Sequence, residues 1–552
     1  MKRESTICVV LSVLVLFASC GKSSGKVETS AGTKTPATLT FYHTGGTPDL
    51  AWDDPVAKKI TELTGVSLDI TTPVGQDTQA IALMLASGKY PDIIFAAEYL
   101  GMFIEAGAVI PLDDLIESRG DNLKKLYGDQ LSRMRNSAQD PRIYQVGTFG
   151  VNEPKWTVDG TVQIQHAVLK ELGYPKINTL ADYEKALKEY IAKYPTINGQ
   201  KTIALSLYVG NGGAWHAGLG NQGNFLIGYP DDGEWIVDQN TLEATYKYFN
   251  PDMQLWFRWL NRMYAEGILD PESFTQNENT WKAKITSGRL LGISYPKWGY
   301  FYDTRPSLVS DGLEERTFVD LSVTADERFI DPSMKIYSGG GSWGIAISSA
   351  AKDPERAFEF LDWMASEEAQ KLLNWGLEGV NYIVVDGKRV VPPEQQLLRD
   401  SDPDYSKKTG VGRYAYPFPI WGKGAMDSTG NYITMESPET IKANYLPVEK
   451  ETLAAYGAEM WTDLFPPSEV LGVSRHGQAW QYTLPPDLNA KFVEADNFVK
   501  TALANIVIGN PDNFDTAWEN MVQACRRIGM EEVGRAMTQL IQERAQLTEM
   551  KN

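Results

Sequence analysis

The 552-residue chain holds few of the residues that build metal centres and nucleophilic sites, with only three cysteines and four histidines. His43, His166, His216 and His476 stand far apart and form no HExxH or other paired spacing, and no CxxC occurs. Zinc takes its three or four ligands from such patterns, so no metal site is expected. No Walker A loop, no GxGxxG opening a helix and no GxSxG elbow is present, which leaves nucleotide cradles and the hydrolase elbow without an anchor, and no cofactor is implied. Positive charge is also short. Lys and Arg number 52 against 71 Asp and Glu, a formal charge of −19, which argues against nucleic acid or an anionic membrane surface as partner. Finally, no apolar run approaches the roughly 20 residues that a membrane-spanning helix needs.

What is present starts at the N-terminus. Lys2 and Arg3 precede an apolar run from Ile7 to Phe17, and the small residues Ala18 and Ser19 precede Cys20. A charged start, a short apolar stretch and small residues at a cut site read as a secretory signal over residues 1–19. With Cys directly after the small pair, this junction resembles a bacterial lipoprotein signal, in which Cys20 is acylated and becomes the new N-terminus. An ordinary secretory signal with an incidental cysteine is the alternative. Residues 20–36 are mostly Gly, Ser, Thr, Lys and Ala and read as a flexible tether. Beyond it Cys525 is the only remaining cysteine, so no intramolecular disulfide is expected. The composition is that of a folded chain, long enough for two or three domains.

From residue 37 strands and helices alternate. Thr38–Tyr42 is β-rich; Asp53-Asp54-Pro55 opens a helix with apolar Val56, Ile60 and Leu63, stopped at Gly65. Val66–Ile70 is a second strand, Asp77 to Gly88 a second helix, and Pro91–Ala96 a third, buried strand. Strand and helix at this spacing predict an α/β fold with a parallel sheet. Ligands in such sheets sit beyond the carboxyl ends of the strands, here Tyr42 with His43 and Ala97 to Tyr99. A second α/β region follows. Arg142–Gly150 reads as a strand leaving the first domain, Thr179 with Asp182 as a capping box, and Ile203–Tyr208 and Leu290–Tyr295 as strands. Asn250-Pro251 opens an amphipathic helix whose Trp256 and Trp259 face a core. Gly344–Ser348 is another strand, and Asp353-Pro354 opens another helix. Residues 395–550 are rich in helix, with an aromatic loop region near Tyr414 to Trp421.

Several segments together resemble family 1 extracellular solute-binding proteins of ABC importers, the sugar-binding class, in its long lipoprotein subgroup. They are ALMLASGKYPDIIF (82–95), GRLLGISYPKW (288–298), SWGIAISSAAKDPERAFEFLDWMASEEAQ (342–370) with WGLEGVNY (375–382), and PDNFDTAWENMVQACRRIGMEE (511–532). The resemblance implies two α/β lobes joined by crossing strands, with ligand in the cleft between them and binding by hinge closure. Lobe one is expected over 37–147 plus 325–375, and lobe two over 148–324 plus 376–552 with a helical C-terminal extension. It further implies a monomer on the extracytoplasmic face of the membrane, held by lipid alone, that binds a carbohydrate, an oligosaccharide by expectation, and delivers it to the permease subunits of an ABC transporter. Related long members carry an Asp- and Asn-rich calcium loop before the strand found here at 203–208. Residues 195–202 (PTINGQKT) offer the side-chain amides of Asn198 and Gln200 and no carboxylate, whereas calcium takes six to eight oxygens, so that site is expected to be absent.

Aromatic residues at strand ends are the candidate sugar contacts, because an aromatic face covers the apolar face of a sugar ring while polar side chains meet its hydroxyls. The chain has 15 Trp, 26 Tyr and 19 Phe. The candidates are Tyr42 and Glu98 at the first sheet, and Asn211 and Trp215 in the glycine-rich stretch 210–216. Trp298 after its strand and Trp343 after three glycines complete the centre, with Trp298 and Trp343 expected on opposite lobes. Trp375, Glu378 and Trp421 are further candidates, and Trp375 reads equally as a core residue closing its helix. No catalytic residue is assigned. Two rival readings stay open at this point. A cell-surface glycoside hydrolase would need a pair of carboxylates across the cleft, and a sensor subunit presenting ligand to a membrane kinase would share this fold.

Overall fold

The computed structural model describes residues 35–44, 50–73, 77–147, 154–158, 162–210, 215–337 and 343–549. The expected signal with Cys20, most of the expected tether and Asn211 lie outside the described residues. Eight strands form two sheets: β1 (Ala37–His43), β2 (Val66–Thr71), β3 (Ile93–Phe95), β4 (Val162–Gln165), β5 (Ile203–Leu205), β6 (Leu290–Ser294), β7 (Phe318–Asp320) and β8 (Ile345–Ile347).

The first sheet has the order β8-β3-β1-β2. β1 pairs in parallel with β2, from Ala37 opposite Val66 to Tyr42 opposite Thr71, and with β3, where His43 lies opposite Phe95; β8 returns antiparallel to β3. The helix Pro55–Thr64 joins β1 to β2 as its local chemistry dictates. The Asp54 carboxylate accepts the Ala57 N–H at 2.9 Å, Pro55 occupies the first turn, and Gly65 closes the helix at φ +71°. Its face of Val56, Ala57 and Ile60 is fully buried against the sheet. Arg142–Gly147 carries only isolated bridges to its neighbours rather than the expected strand.

The second sheet has the order β7-β4-β6-β5. β6 runs parallel to β5 and antiparallel to β4, and all five of its residues are buried. The capping box before Leu180–Lys193 forms as expected, with the Thr179 hydroxyl accepting the Asp182 N–H at 3.2 Å and the Asp182 carboxylate accepting the Thr179 N–H at 3.0 Å. The helix Gln254–Ala265 buries Trp256 and Trp259, whose rings stack at 5.5 Å. The C-terminal helices Pro486–Ile508, Phe514–Ile528 and Met530–Glu549 pack onto the same core through Val499, Leu503, Trp518 and Val533. Residues 195–202 form a hairpin, Thr196–Ile197 against Gln200–Lys201. Asn198 and Gly199 turn it at φ +50° and +75°, the pairing that a two-residue hairpin turn prefers.

The expectation that everything after residue 376 belongs to the second lobe needs correction. Tyr382, Tyr405, Val411, Tyr414, Phe418 and Met435 pack into the core beneath the first sheet. Phe418 lies 5.8 Å from Phe41, and the Tyr414 hydroxyl donates to Asp54 and to the Ala51 carbonyl. The chain joins the second core only later, with Leu453 and Trp461. These residues are spaced irregularly along loops and short helices, so no period in the sequence marks the face they bury. Between the two cores run residues 154–158 and 330–337, and the chain passes between them once more after Met435 and before Leu453. The C-terminal helix adds a further link, since Arg544 donates to the carbonyls of Arg133, Arg135 and Asn136 in the first lobe.

Candidate functional site

The carboxyl ends of β1 and β3 converge on an aromatic cluster. His43 meets Phe95 edge-on at 5.2 Å and Tyr416 at 5.8 Å, and Phe95 meets Tyr416 at 5.2 Å and Trp343 at 6.2 Å. Trp343 in turn abuts Trp480 at 4.8 Å. Burial lowers the His43 pKa, which favours the neutral ring. Trp343 stands at φ +58° just before β8, a left-handed conformation that is costly for a residue with a bulky side chain. The indole N–H groups of Trp343 and Trp480 are buried and meet no acceptor among the described residues. Glu98 lies exposed on the turn Ala97–Tyr99 beside this cluster, where its charge adds to burial in raising the Tyr416 phenol.

Next to the cluster lies a cavity of about 620 Å³, within the 300–1,000 Å³ typical of ligand sites. Its floor is the crossing chain, with Lys155, Trp156 and Tyr337. One wall comes from the second lobe, where β6 runs into Lys297 and the helix Phe301–Ser310 supplies Tyr302 and Arg305. The lining continues directly into the helix Pro393–Ser401 with Arg399, which meets the helix Phe301–Ser310 through Asp400 and Arg305, and on to a wall with Lys423 and Glu436. Met435 on that wall also belongs to the first-lobe core, so the cavity lies where the two lobes meet. Gln478 and Gln481 reach it from the same loop that presses Trp480 onto Trp343. Tyr302 is 65% exposed, and Trp156 stands edge-on to Tyr432 at 5.4 Å. Apolar ring faces ringed by charged and amide groups make a surface suited to a polyhydroxylated ligand.

The family model described as bacterial extracellular solute-binding protein matches residues 56–379, more than half of the chain. The chain belongs to this family. Among curated relatives, lipoprotein LipO of Bacillus subtilis (strain 168) is 24% identical over 358 residues, covering 60% of this chain and 65% of LipO. The fructooligosaccharide ABC transporter substrate-binding protein FusA of Streptococcus pneumoniae serotype 4 is 26% identical over 242 residues, 42% of this chain and 44% of FusA. The matches thus span less than two thirds of either relative. Among solved structures, the alginate-binding protein AlgQ2 aligns with a TM-score of 0.67 at 17% identity, over 92% of this chain and 99% of AlgQ2. That likeness is one of fold, the two-lobe α/β architecture. The family, FusA and AlgQ2 are described as binding proteins.

In this solute-binding protein the candidate residues read from sequence fall in different settings. Trp298 is 59% exposed beyond β6 and stands edge-on to Tyr295 at 5.6 Å, while Trp343 and Glu98 border the aromatic cluster. Tyr42 is buried against Ile81, Ile94 and Phe103. Trp215 is buried in the second-lobe core, with the Lys500 ammonium 5.7 Å above its ring. Trp375 is buried in the first-lobe core and donates to the Tyr432 carbonyl at 3.2 Å. Trp421 donates to the Ala365 carbonyl at 2.6 Å beneath Lys125, and Glu378 is exposed beside Tyr382. None of these eight lines the cavity, although Lys297 and Ile420, next to Trp298 and Trp421, do. Sequence reading passed over Trp156, Tyr302, Tyr337, Arg399 and Trp480. A signal existed for Trp156, which follows Pro154-Lys155 where the chain leaves the first lobe. For Arg399, on a polar helix, there was none.

Among the described residues one set of side chains has cation-binding geometry: His216, Glu234 and Asp496, with ligand atoms within 4.8 Å of one another. Both carboxylates are already answered by ammonium groups, Glu234 by buried Lys247 at 2.7 Å and Asp496 by Lys500 at 2.8 Å. Burial works to raise the Glu234 pKa, but Lys247 and His216 outweigh it and hold the carboxyl ionised. The cluster therefore reads as a neutralised structural network.

Proposed function

We propose that this protein captures an oligosaccharide in the interlobe cavity and passes it to the permease of an ABC transporter at the outer face of a bacterial membrane. The observation that carries the reading is the cavity itself. It is walled by both lobes, floored by the crossing chain and faced with Trp156, Tyr302 and Tyr337 beside charged groups. Family membership adds to it, as does FusA, a fructooligosaccharide transporter's binding protein by its name. A ligand that touches both walls at once favours the closed arrangement of the lobes, and its differential contacts set how far the equilibrium shifts. On this reading Trp298, Trp343 and Glu98 border the cleft and meet the ligand when the lobes close, with Asn211 as a further candidate. Tyr42, Trp215, Trp375 and Trp421 act by supporting the walls. The first lobe then comprises the core of β1, β2, β3 and β8 together with residues 382–435.

The test is a thermal-shift and calorimetric screen of the purified protein against oligosaccharides of several linkages, with mass spectrometry of the recovered ligand. Because a ligand that binds only the folded state stabilises it, the reading expects a raised melting temperature for at least one oligosaccharide, recovered uncut. Protein-dependent cleavage would instead support a hydrolase, and silence across the screen would reject the oligosaccharide reading. The Phe17-Ala18-Ser19-Cys20 junction, together with the lipoprotein name of LipO, supports a lipid anchor at Cys20. A Cys20→Ala variant is expected to leave the membrane fraction, and retention equal to the parent would contradict the anchor.

A further inference from the structure

The cavity carries more cations than the acidic chain around it would lead one to expect. Lys155, Lys297, Arg305, Arg399 and Lys423 line it against the carboxylates Asp400, Glu436 and Glu449, in a chain of formal charge −19. The ion pairs are unevenly shared. Arg305 takes two carboxylates, Asp400 at 3.2 Å and Glu449 at 3.1 Å. Lys423 takes Glu436 at 2.7 Å, and Lys297 is answered from behind by buried Asp320. All three cavity carboxylates are thereby engaged.

Arg399 is left over. Among the described residues it forms no ion pair, and its Nη1 reaches the Met435 thioether at 2.7 Å, a weak acceptor. Burial pushes its guanidinium below the ordinary value, and the nearby charges of Asp400 and Glu436 offset this only in part. Arg399 is half-buried, so the guanidinium donors that meet no protein acceptor are left to the cavity. Its fork of parallel N–H groups fits a planar, two-oxygen anion better than any hydroxyl. Lys155 adds a second cation on the floor, donating to the Ser333 carbonyl at 3.0 Å and standing 5.0 Å above the Tyr337 ring.

We infer that the ligand is an acidic oligosaccharide of the uronic-acid kind, whose carboxylate pairs with Arg399. This deepens the proposed function and rests on it.

The test compares oligouronides of two to four units with their carboxyl-reduced, neutral twins, by calorimetry on the parent, Arg399→Gln and Arg399→Lys. The parent is expected to bind the acidic member at least about tenfold tighter than its twin, with the advantage shrinking as salt rises. Arg399→Gln is expected to abolish that preference, lowering affinity for the acidic member far more than for its neutral twin. Arg399→Lys keeps the charge without the fork, so it is expected to retain only part of the preference; it also carries the test if the Gln variant fails to fold. Equal binding of acidic and neutral twins, or a preference that survives both substitutions, overturns this inference and leaves the oligosaccharide reading standing. If no saccharide of either kind binds, it is the underlying reading that falls.

Discussion

Asp331, within the stretch that crosses between the lobes, is 3% exposed and accepts the Ser333 N–H at 2.8 Å. Burial pushes its carboxyl up to about 6, with the Ser333 hydrogen bonds and the Lys155 charge pulling the other way. A carboxyl raised above its unfolded value makes the folded state hold the proton longer, so stability falls as pH rises between about 4 and 6. Asp331→Asn removes this dependence. Relative to the parent, the variant is expected to gain stability from pH 4 to 6 and to level off above 7, by on the order of 1–3 kcal/mol. Urea unfolding at several pH values checks it, and a constant difference across that range would contradict the account. The same scale shows what a sequence reveals of single side chains. Trp298 and Trp375 both follow regular elements near glycine or proline, yet one is 59% exposed and the other 5%. Local pattern made both of them candidates, with a core reading kept beside it only for Trp375, because burial is decided by what packs over them from far along the chain. Arg399 was invisible for the related reason that its distinction, the lack of a partner, exists only once Arg305 and Lys423 have claimed the neighbouring carboxylates.

At the scale of the element, local chemistry carried much further. The caps at Asp54, Thr179 and Asp353 and the left-handed Gly65 all form where the sequence places them, since each depends on residues within one helical turn. The strands beginning near residues 38, 66, 93, 203, 290 and 345 are likewise found. What escaped was residues 382–435, whose burial under the first sheet depends on irregularly spaced aromatics. The hairpin at 196–201 supports a prediction of its own. Its turn is closed by Asn198 and Gly199 in left-handed conformations, and residues 195–202 bring no carboxylate for a cation. The melting temperature is therefore expected to be the same in calcium and in chelator. A rise with calcium that disappears when Asn198 is replaced would show a site in this loop.

At the scale of the whole molecule, two sheet-centred lobes enclose a cavity to which both contribute, and the C-terminal helix reaches back through Arg544 to carbonyls of the first lobe. Fold and family were legible in sequence because the matching segments are the buried strands and capped helices of both lobes. The cavity was not legible, since its lining is drawn from residue 154 to residue 481 and no local pattern links those positions. The central claim is that this cavity is where an oligosaccharide binds. Tyr302 tests it most directly, because it lines the cavity, is 65% exposed and so contributes little to the folded core. The measurement is a calorimetric titration of the best oligosaccharide from the screen into the parent and into Tyr302→Ala, with apo unfolding as control. The account predicts unchanged apo stability and an affinity loss of about 1–3 kcal/mol, the size of aromatic stacking on other ligand rings. Equal affinity in the two proteins would place the binding site elsewhere.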